Sequence, residues 1–171
     1  MALAPIGVTA ARVALVADAA YPAVVRDLIQ SASRWCLASV FIVDVNAHRD
    51  PELKVAQVLR DLAEAQWRGI ETRLLIGGSR ENLAIAEACS IARDHVVSLG
   101  LDCRMLADSD VRGSHCKFLV ADDAVLTGSH NWSRSAFSGE TQDSTLIQSA
   151  GAAAYFLDLF EQQWSRAAVR T

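Results

Sequence analysis

Apolar residues along this chain follow two rhythms. Four runs are rich in apolar residues without a helical period: RVALVAD (12–18), WCLASVFIVDV (35–45), IETRLLIGG (70–78) and DCRML (102–106). Such runs predict strands covered on both faces. Between them, Val24, Val25, Leu28, Ile29 and Ala32 recur at helical spacing, as do Val55, Val58, Leu59 and Leu62. The second of these helices should open at Asp50-Pro51-Glu52, with a capping carboxylate, proline at the first position and acid in the first turn. Gly69 should end it, and a third helix should run from about Glu81 to Leu99 before Gly100. Two strands near 115–121 and 124–127 form a hairpin, and DSTLIQS (143–149) is another strand. AAAYFLDLFEQQWSRA is an amphipathic helix with Phe156, Leu159, Phe160 and Gln163 on one face. The alternation predicts an α/β fold with a mostly parallel, mixed sheet flanked by helices on both faces. No repeat or linker divides the chain, and loops of small polar residues fall at 107–114 and 133–142. One domain over residues 1–171 is expected.

Composition narrows the function classes. Sixteen Lys and Arg against twenty Asp and Glu give a net charge of −4. There is no global attraction for nucleic acid or anionic lipid, so any phosphate site must be local. No apolar run is long enough to predict a membrane span. MALAPIGVTAARVALVADAAYP has no basic residue before Arg12 and reads as a mature beginning, not a secretory signal. Cys36, Cys89, Cys103 and Cys116 are scattered in apolar periodic segments, the pattern of buried thiols in a reducing compartment, so a cytoplasmic location is expected.

The stretch HCKFLVADDAVLTGSHNWS (115–133) carries the candidate chemistry. In a strand, residues two apart share a face, so His115 and Lys117 point one way and Cys116, Phe118 and Val120 the other. A turn at Asp122-Asp123 should return Gly128, Ser129 and Asn131 to their side. An imidazole, an ammonium, a hydroxyl and a carboxamide together suit a phosphate ester. Lysine offers charge to the non-bridging oxygens, Ser129 and Asn131 add neutral donors, and a neutral imidazole can attack phosphorus. Gly128 would allow close backbone approach to the ligand.

Other candidates are weaker. LLIGGSRENLAIAE is a strand, turn and helix that could cradle an anion, but it lacks the glycine spacing of a nucleotide fingerprint and reads better as a loop and cap. A zinc site from Cys103, His115, Cys116 and His130 fails on spacing. Around the motif, Arg112 and Arg134 could read phosphate, and Trp132 could stack a base or simply pack.

HCKFLVAD with GSHN resembles the HKD signature of the phospholipase D superfamily, and the order of elements upstream agrees with it. The resemblance covers nearly the whole chain and implies a phospholipase D-like sandwich. It also implies a metal- and cofactor-independent phosphodiesterase that forms a phosphohistidine. His115 would be the nucleophile or its acid/base counterpart, Lys117 and Asn131 would hold phosphate, Ser129 would support the site, and Asp122 would order the hairpin. The family chemistry uses two such motifs, so one motif implies a homodimer with paired His115 side chains. Small single-motif members are often endonucleases, so DNA or RNA is the expected substrate. A lipid-hydrolysing enzyme and a weakly catalytic binding module are the alternatives. Two departures stand out. Five residues, where the family commonly has six, separate Asp122 from Gly128, and Gln142 occupies the place of a histidine-orienting glutamate, with Glu140 and Asp143 nearby.

Overall fold

The computed structural model describes residues 6–46, 53–106 and 113–167. Seven strands form one sheet: β1 (Arg12–Ala17), β2 (Trp35–Val40), β3 (Glu71–Ile76), β4 (Asp102–Met105), β5 (Lys117–Ala121), β6 (Ala124–Gly128) and β7 (Asp143–Gln148). Their order is β1-β7-β6-β5-β2-β3-β4. The helices are α1 (Tyr21–Ser31), α2 (Lys54–Trp67), α3 (Leu83–Ser98), α4 (Arg134–Ser138) and α5 (Ala150–Trp164). The sheet is mixed: β2, β3 and β4 run parallel through helical crossovers, whereas β5, β6, β7 and β1 join by antiparallel pairing. The expected parallel character is thus confined to one half, because the hairpin and its return strand reverse direction without a crossover.

Both faces are covered. Val25 and Ile29 of α1, Val58 and Leu62 of α2, Cys89 and Val96 of α3, and Phe137 of α4 fill one side. Ala153, Phe160 and Trp164 of α5 cover the other, against Leu37, Phe118, Val120 and Val125. Each fully buried Leu or Phe removes about 2–3 kcal/mol worth of apolar surface from water.

Helix ends follow local chemistry. Gly69 and Gly100 end α2 and α3 with φ of +86° and +82°, a region glycine enters without a Cβ penalty. Asn82 caps α3, its side chain accepting from the amides of Ala84 and Ile85. Those first-turn amides are therefore used by the cap, in line with a loop-and-cap role for LLIGGSRENLAIAE. The proposed opening of α2 at Asp50-Pro51-Glu52 lies outside the described residues. The helix is regular from Lys54, preceded by Leu53 in a left-handed conformation. Within the loop expected at 133–142, Arg134–Ser138 is helical, its start capped by Ser133 accepting from the Ala136 amide. Five residues are too short for a periodic signal to show.

The run 35–45 is not one strand. β2 stops at Val40, and the chain then changes partner from β5 to the segment after β6. The Trp132 amide donates to the Ile42 carbonyl at 3.0 Å, Val43 bridges Trp132, and the Asp44 amide donates to the Trp132 carbonyl at 2.9 Å. This change of partner positions the site.

Candidate active site

β5 begins at Lys117, paired with Val40 at the end of β2. Leu119 and Ala121 face the side of α1 to α4, while Cys116, Phe118 and Val120 face α5. Lys117 accordingly meets His115. Its Nζ lies 2.9 Å from His115 Nδ1 and 3.2 Å from Nε2, and it donates to the His115 carbonyl at 2.9 Å. His115 is exposed, whereas Lys117 is only 7% exposed. Phe41 touches both, its ring centroid 4.4 Å from that of His115 and 5.2 Å from the Lys117 ammonium. Partial burial and, after it, the neighbouring ammonium lower the His115 pKa below its ordinary value. Burial likewise lowers that of Lys117. Both influences on His115 favour the neutral imidazole, which has a lone pair available.

The second half of the motif docks on the same short segment. Asn131 accepts from the Ile42 amide through Oδ1 at 3.1 Å, which fixes the carboxamide and leaves its Nδ2 hydrogens for other work. Residues 41 and 42 thus hold His115 and Lys117 on one side and Asn131 on the other. Ser129 faces β7: its hydroxyl donates to the Asp143 carbonyl at 3.1 Å and accepts from the Asp143 amide at 3.0 Å. Gly128 is required for the same contact and not for a ligand. A Cβ there would come within 2.3 Å of the Asp143 carbonyl and 2.4 Å of the Ser144 Cα. His130 is fully buried, stacked on Tyr21 at 4.1 Å, with Nδ1 2.9 Å from the Ser144 hydroxyl.

Asp122 makes the hairpin turn, at φ +50°. Its carboxylate accepts from the Ser33 amide and hydroxyl, at 2.9 and 2.8 Å, and from the Arg34 amide at 2.8 Å. The Trp35 amide adds a longer bond at 3.3 Å. Burial opposes the charge, yet these bonds outweigh it and hold the carboxyl below the ordinary range. The turn is two residues, Asp122 and Asp123, between β5 and β6, so the shorter spacing to Gly128 is absorbed without a gap in pairing.

Two candidates are engaged elsewhere. Trp132 is fully buried, and its Nε1 donates to the Tyr21 hydroxyl at 3.3 Å, so it packs the core and cannot stack a base. Gln142 donates from Nε2 to Glu140 at 2.7 Å, and its amide donates to Asp18. Those contacts, together with exposed Glu140 and Asp143, lie at the β1 end of the sheet, and Gln142 is not hydrogen-bonded to His115 within the chain. Arg112 lies outside the described residues. Exposed Arg134 lines an open cleft of about 440 Å³ with Asp44, Ser135, Ser138 and Gly139. Among the described residues no cluster of three or more His, Cys, Asp or Glu side chains is arranged to hold a metal ion.

Sequence reasoning passed over two supports of the site. Phe41 was hidden in an apolar run that reads as plain strand. Gln163 had a signal, a polar residue on the buried face of α5. Its Oε1 accepts from Ser39 and Ser114 at 3.0 and 3.1 Å, and its Nε2 lies 3.5 Å from Cys116 Sγ, tying down the backbone on either side of His115.

With this geometry in place, the comparisons are decisive on family. The family model described as "Cardiolipin synthase, PLD-like domain" matches residues 25–164. The chain belongs to the phospholipase D superfamily. Among solved structures, this phospholipase D-like chain is similar to Nuc, a phospholipase D family member from Salmonella typhimurium. The two share 19% identity with a TM-score of 0.75, over 94% of this chain and 99% of that one. NucT from Helicobacter pylori shares 15% identity with a TM-score of 0.66, over 93% and 99% of the two chains. TrmBL2, described as an archaeal chromatin protein with a novel mode of DNA binding, shares 18% identity with a TM-score of 0.57, over 92% of this chain and 53% of that one. A search of curated protein sequences found no match. No helix among the described residues is long and apolar enough to cross a membrane.

Proposed function

We propose that this phospholipase D-like chain is a metal-independent phosphodiesterase that cleaves nucleic acid through a phosphohistidine on His115. The observation that carries this reading is the close approach of the Lys117 ammonium to the ring nitrogens of an exposed His115. A phosphodiester entering there exchanges one contact for two. Its non-bridging oxygens take the ammonium, freeing a ring nitrogen to attack phosphorus. Asn131, its Oδ1 held by Ile42, turns its Nδ2 donors to the same oxygens.

The step needs a proton for the departing alkoxide, and a single neutral His115 cannot supply it. A second copy of the chain, its own His115 protonated, gives that proton and later takes one from the water that hydrolyses the phosphohistidine. General acid help of this kind contributes about 10²–10⁴ in rate. The active form is therefore a homodimer. Arg134, in the cleft beyond Asn131, meets a neighbouring phosphate of a strand, and Arg112 is assigned the same role. Nucleic acid as substrate draws support from the likeness to TrmBL2, whose structure is described as showing a mode of DNA binding. The family description also names a cardiolipin synthase, which favours phosphatidyl transfer as the second reading. The expected cytoplasmic setting draws support from the four free thiols, Cys36, Cys89, Cys103 and Cys116.

The test is incubation of the purified chain with single- and double-stranded DNA, RNA and phosphatidylglycerol vesicles in excess EDTA, beside His115→Ala. Nucleic-acid cleavage that survives chelation and vanishes in the variant, with a phosphorylated His115 peptide by mass spectrometry, supports the reading. Turnover of lipid alone favours the second reading. Full activity from chains that sediment as monomers overturns the dimer.

A further inference from the structure

Phe41 is the side chain that touches both groups of the proposed chemistry, and its own position is unusually constrained. It follows the last residue of β2, where the chain changes partner. Its carbonyl accepts from the Gly78 amide at 2.9 Å and from Cys89 Sγ at 3.8 Å. Gly77 leaves room for it: a Cβ there would lie 3.1 Å from the Phe41 Cα, 3.2 Å from its ring and 2.5 Å from the Ser114 carbonyl. The backbone just after β3 thus approaches the aromatic ring closely. On its other side it meets the imidazole at a 48° tilt and the Lys117 ammonium at cation–π range.

We infer that Phe41 is a positioning residue that holds His115 and Lys117 as one unit, with Gly77 as the gap that lets it do so. The inference rests on the proposed reading of His115 as nucleophile, and it adds a group that does not touch the reacting atoms. The ring acts in two ways. Its face attracts the ammonium, keeping Lys117 over the imidazole when no phosphate is bound. Its bulk strips water from one side of the imidazole. Both effects disfavour a cationic His115. Among the described residues Lys117 is the charged group acting on His115; Phe41 and the Ser114 backbone bring no charge.

The experiment is NMR titration of the His115 Cε1–H in the full chain, alongside the pH profile for hydrolysis of bis(para-nitrophenyl) phosphate. Phe41→Ala should raise the His115 pKa toward its ordinary value, because water returns and the ammonium drifts away. The acid limb of kcat/KM should move up with it, and the plateau should fall about tenfold, the scale of one desolvated cation–π contact. Phe41→Tyr keeps the ring face and should titrate like wild type, with rates within about twofold. Should Phe41→Ala fail to fold, Phe41→Leu decides, since it keeps bulk but removes the ring face and should shift His115 in the same direction. Gly77→Ala should disturb the His115 titration too, because its Cβ would meet the Ser114 carbonyl as well as the ring. An unchanged His115 titration in Phe41→Ala or Phe41→Leu overturns the inference. A wild-type chain that turns over no phosphodiester defeats the proposed function instead, and the titration still decides what Phe41 does.

Discussion

His115 and His130 belong to the same motif, and both have pKa values lowered by burial first of all. Their surroundings otherwise differ in every respect. His115 is exposed at the start of β5, faces an ammonium and leans on one ring. His130 is sealed in the core, parallel to Tyr21 and hydrogen-bonded to Ser144, and burial there outweighs the favourable influence of Asp18 and Asp143 on its cation. A lowered histidine pKa thus has two meanings in one hairpin. Where water and a cation are adjacent, a neutral imidazole is available for the proposed chemistry. Where neither is, it is a flat polar filler joining α1 to β7.

The widest separation between the two should come from truncation. His115→Ala should cut phosphodiester hydrolysis by about 10³–10⁴ while the melting curve barely moves, since the ring is exposed. A loss under tenfold would end the distinction. His130→Ala should do the reverse, costing about 2–3 kcal/mol through a cavity beside Tyr21 and an abandoned Ser144 hydroxyl. Thermal unfolding should show it as a drop in Tm of roughly 5–10 °C.

Lys117→Met sharpens the electrostatic half of the contrast. Removing the ammonium should lower kcat/KM by about 10² and raise the His115 pKa, shifting the acid limb of the pH profile upward. The pH dependence of stability tests the other half. A histidine whose folded pKa lies below its unfolded value binds fewer protons when folded, so unfolding takes up protons. His130 therefore favours the folded state fully above about pH 6.5, and that contribution shrinks as pH falls below the unfolded value. Denaturant titrations from pH 7.5 down to 5 should show this loss in wild type, and His130→Gln should flatten it.

Smaller effects belong to the supports. Asp122→Asn keeps a side chain tolerant of φ +50° but removes the charge that collects the Ser33, Arg34 and Trp35 donors. A cost of about 2 kcal/mol in urea unfolding is expected, with hydrolysis changed less than threefold. Arg134→Ala should weaken binding of a single-stranded oligonucleotide by only a few-fold and reduce its salt dependence by about one ion. An unaltered salt slope would remove Arg134 from the substrate path.

Much of this architecture was written in the apolar pattern, and the reason is local. Strand and helix periods depend on near neighbours, so β3, α3, the hairpin and α5 emerge from the residues themselves. The alternation that separates His115 and Lys117 from Cys116 is equally local. What the pattern missed depends on distant chain. Trp132 could stack a base or simply pack until its contacts with Tyr21 and Val43 show that it packs. Gly128 reads as room for a ligand until β7 fills the space. Gln142 takes the position of an expected histidine partner, yet its bonds go to Glu140 and Asp18, at the far strand of the sheet. Phe41 is indistinguishable from its apolar neighbours because its importance lies in where β2 stops.

The pairing of β1 with β7, Arg12 against Gln148, joins nearly the two ends of the described chain. On the ribosome, β1 emerges ahead of β2 to β7 and must wait for β7, the last of them, to find its neighbour. Through that interval Val13 and Leu15, exposed even in the finished sheet, sit on an unpaired apolar segment. Non-local closure of this kind slows folding and leaves a sticky edge available to other nascent chains. Chaperone demand, and losses to inclusion bodies at high expression, should therefore trace to β1 and not to the hairpin that carries His115.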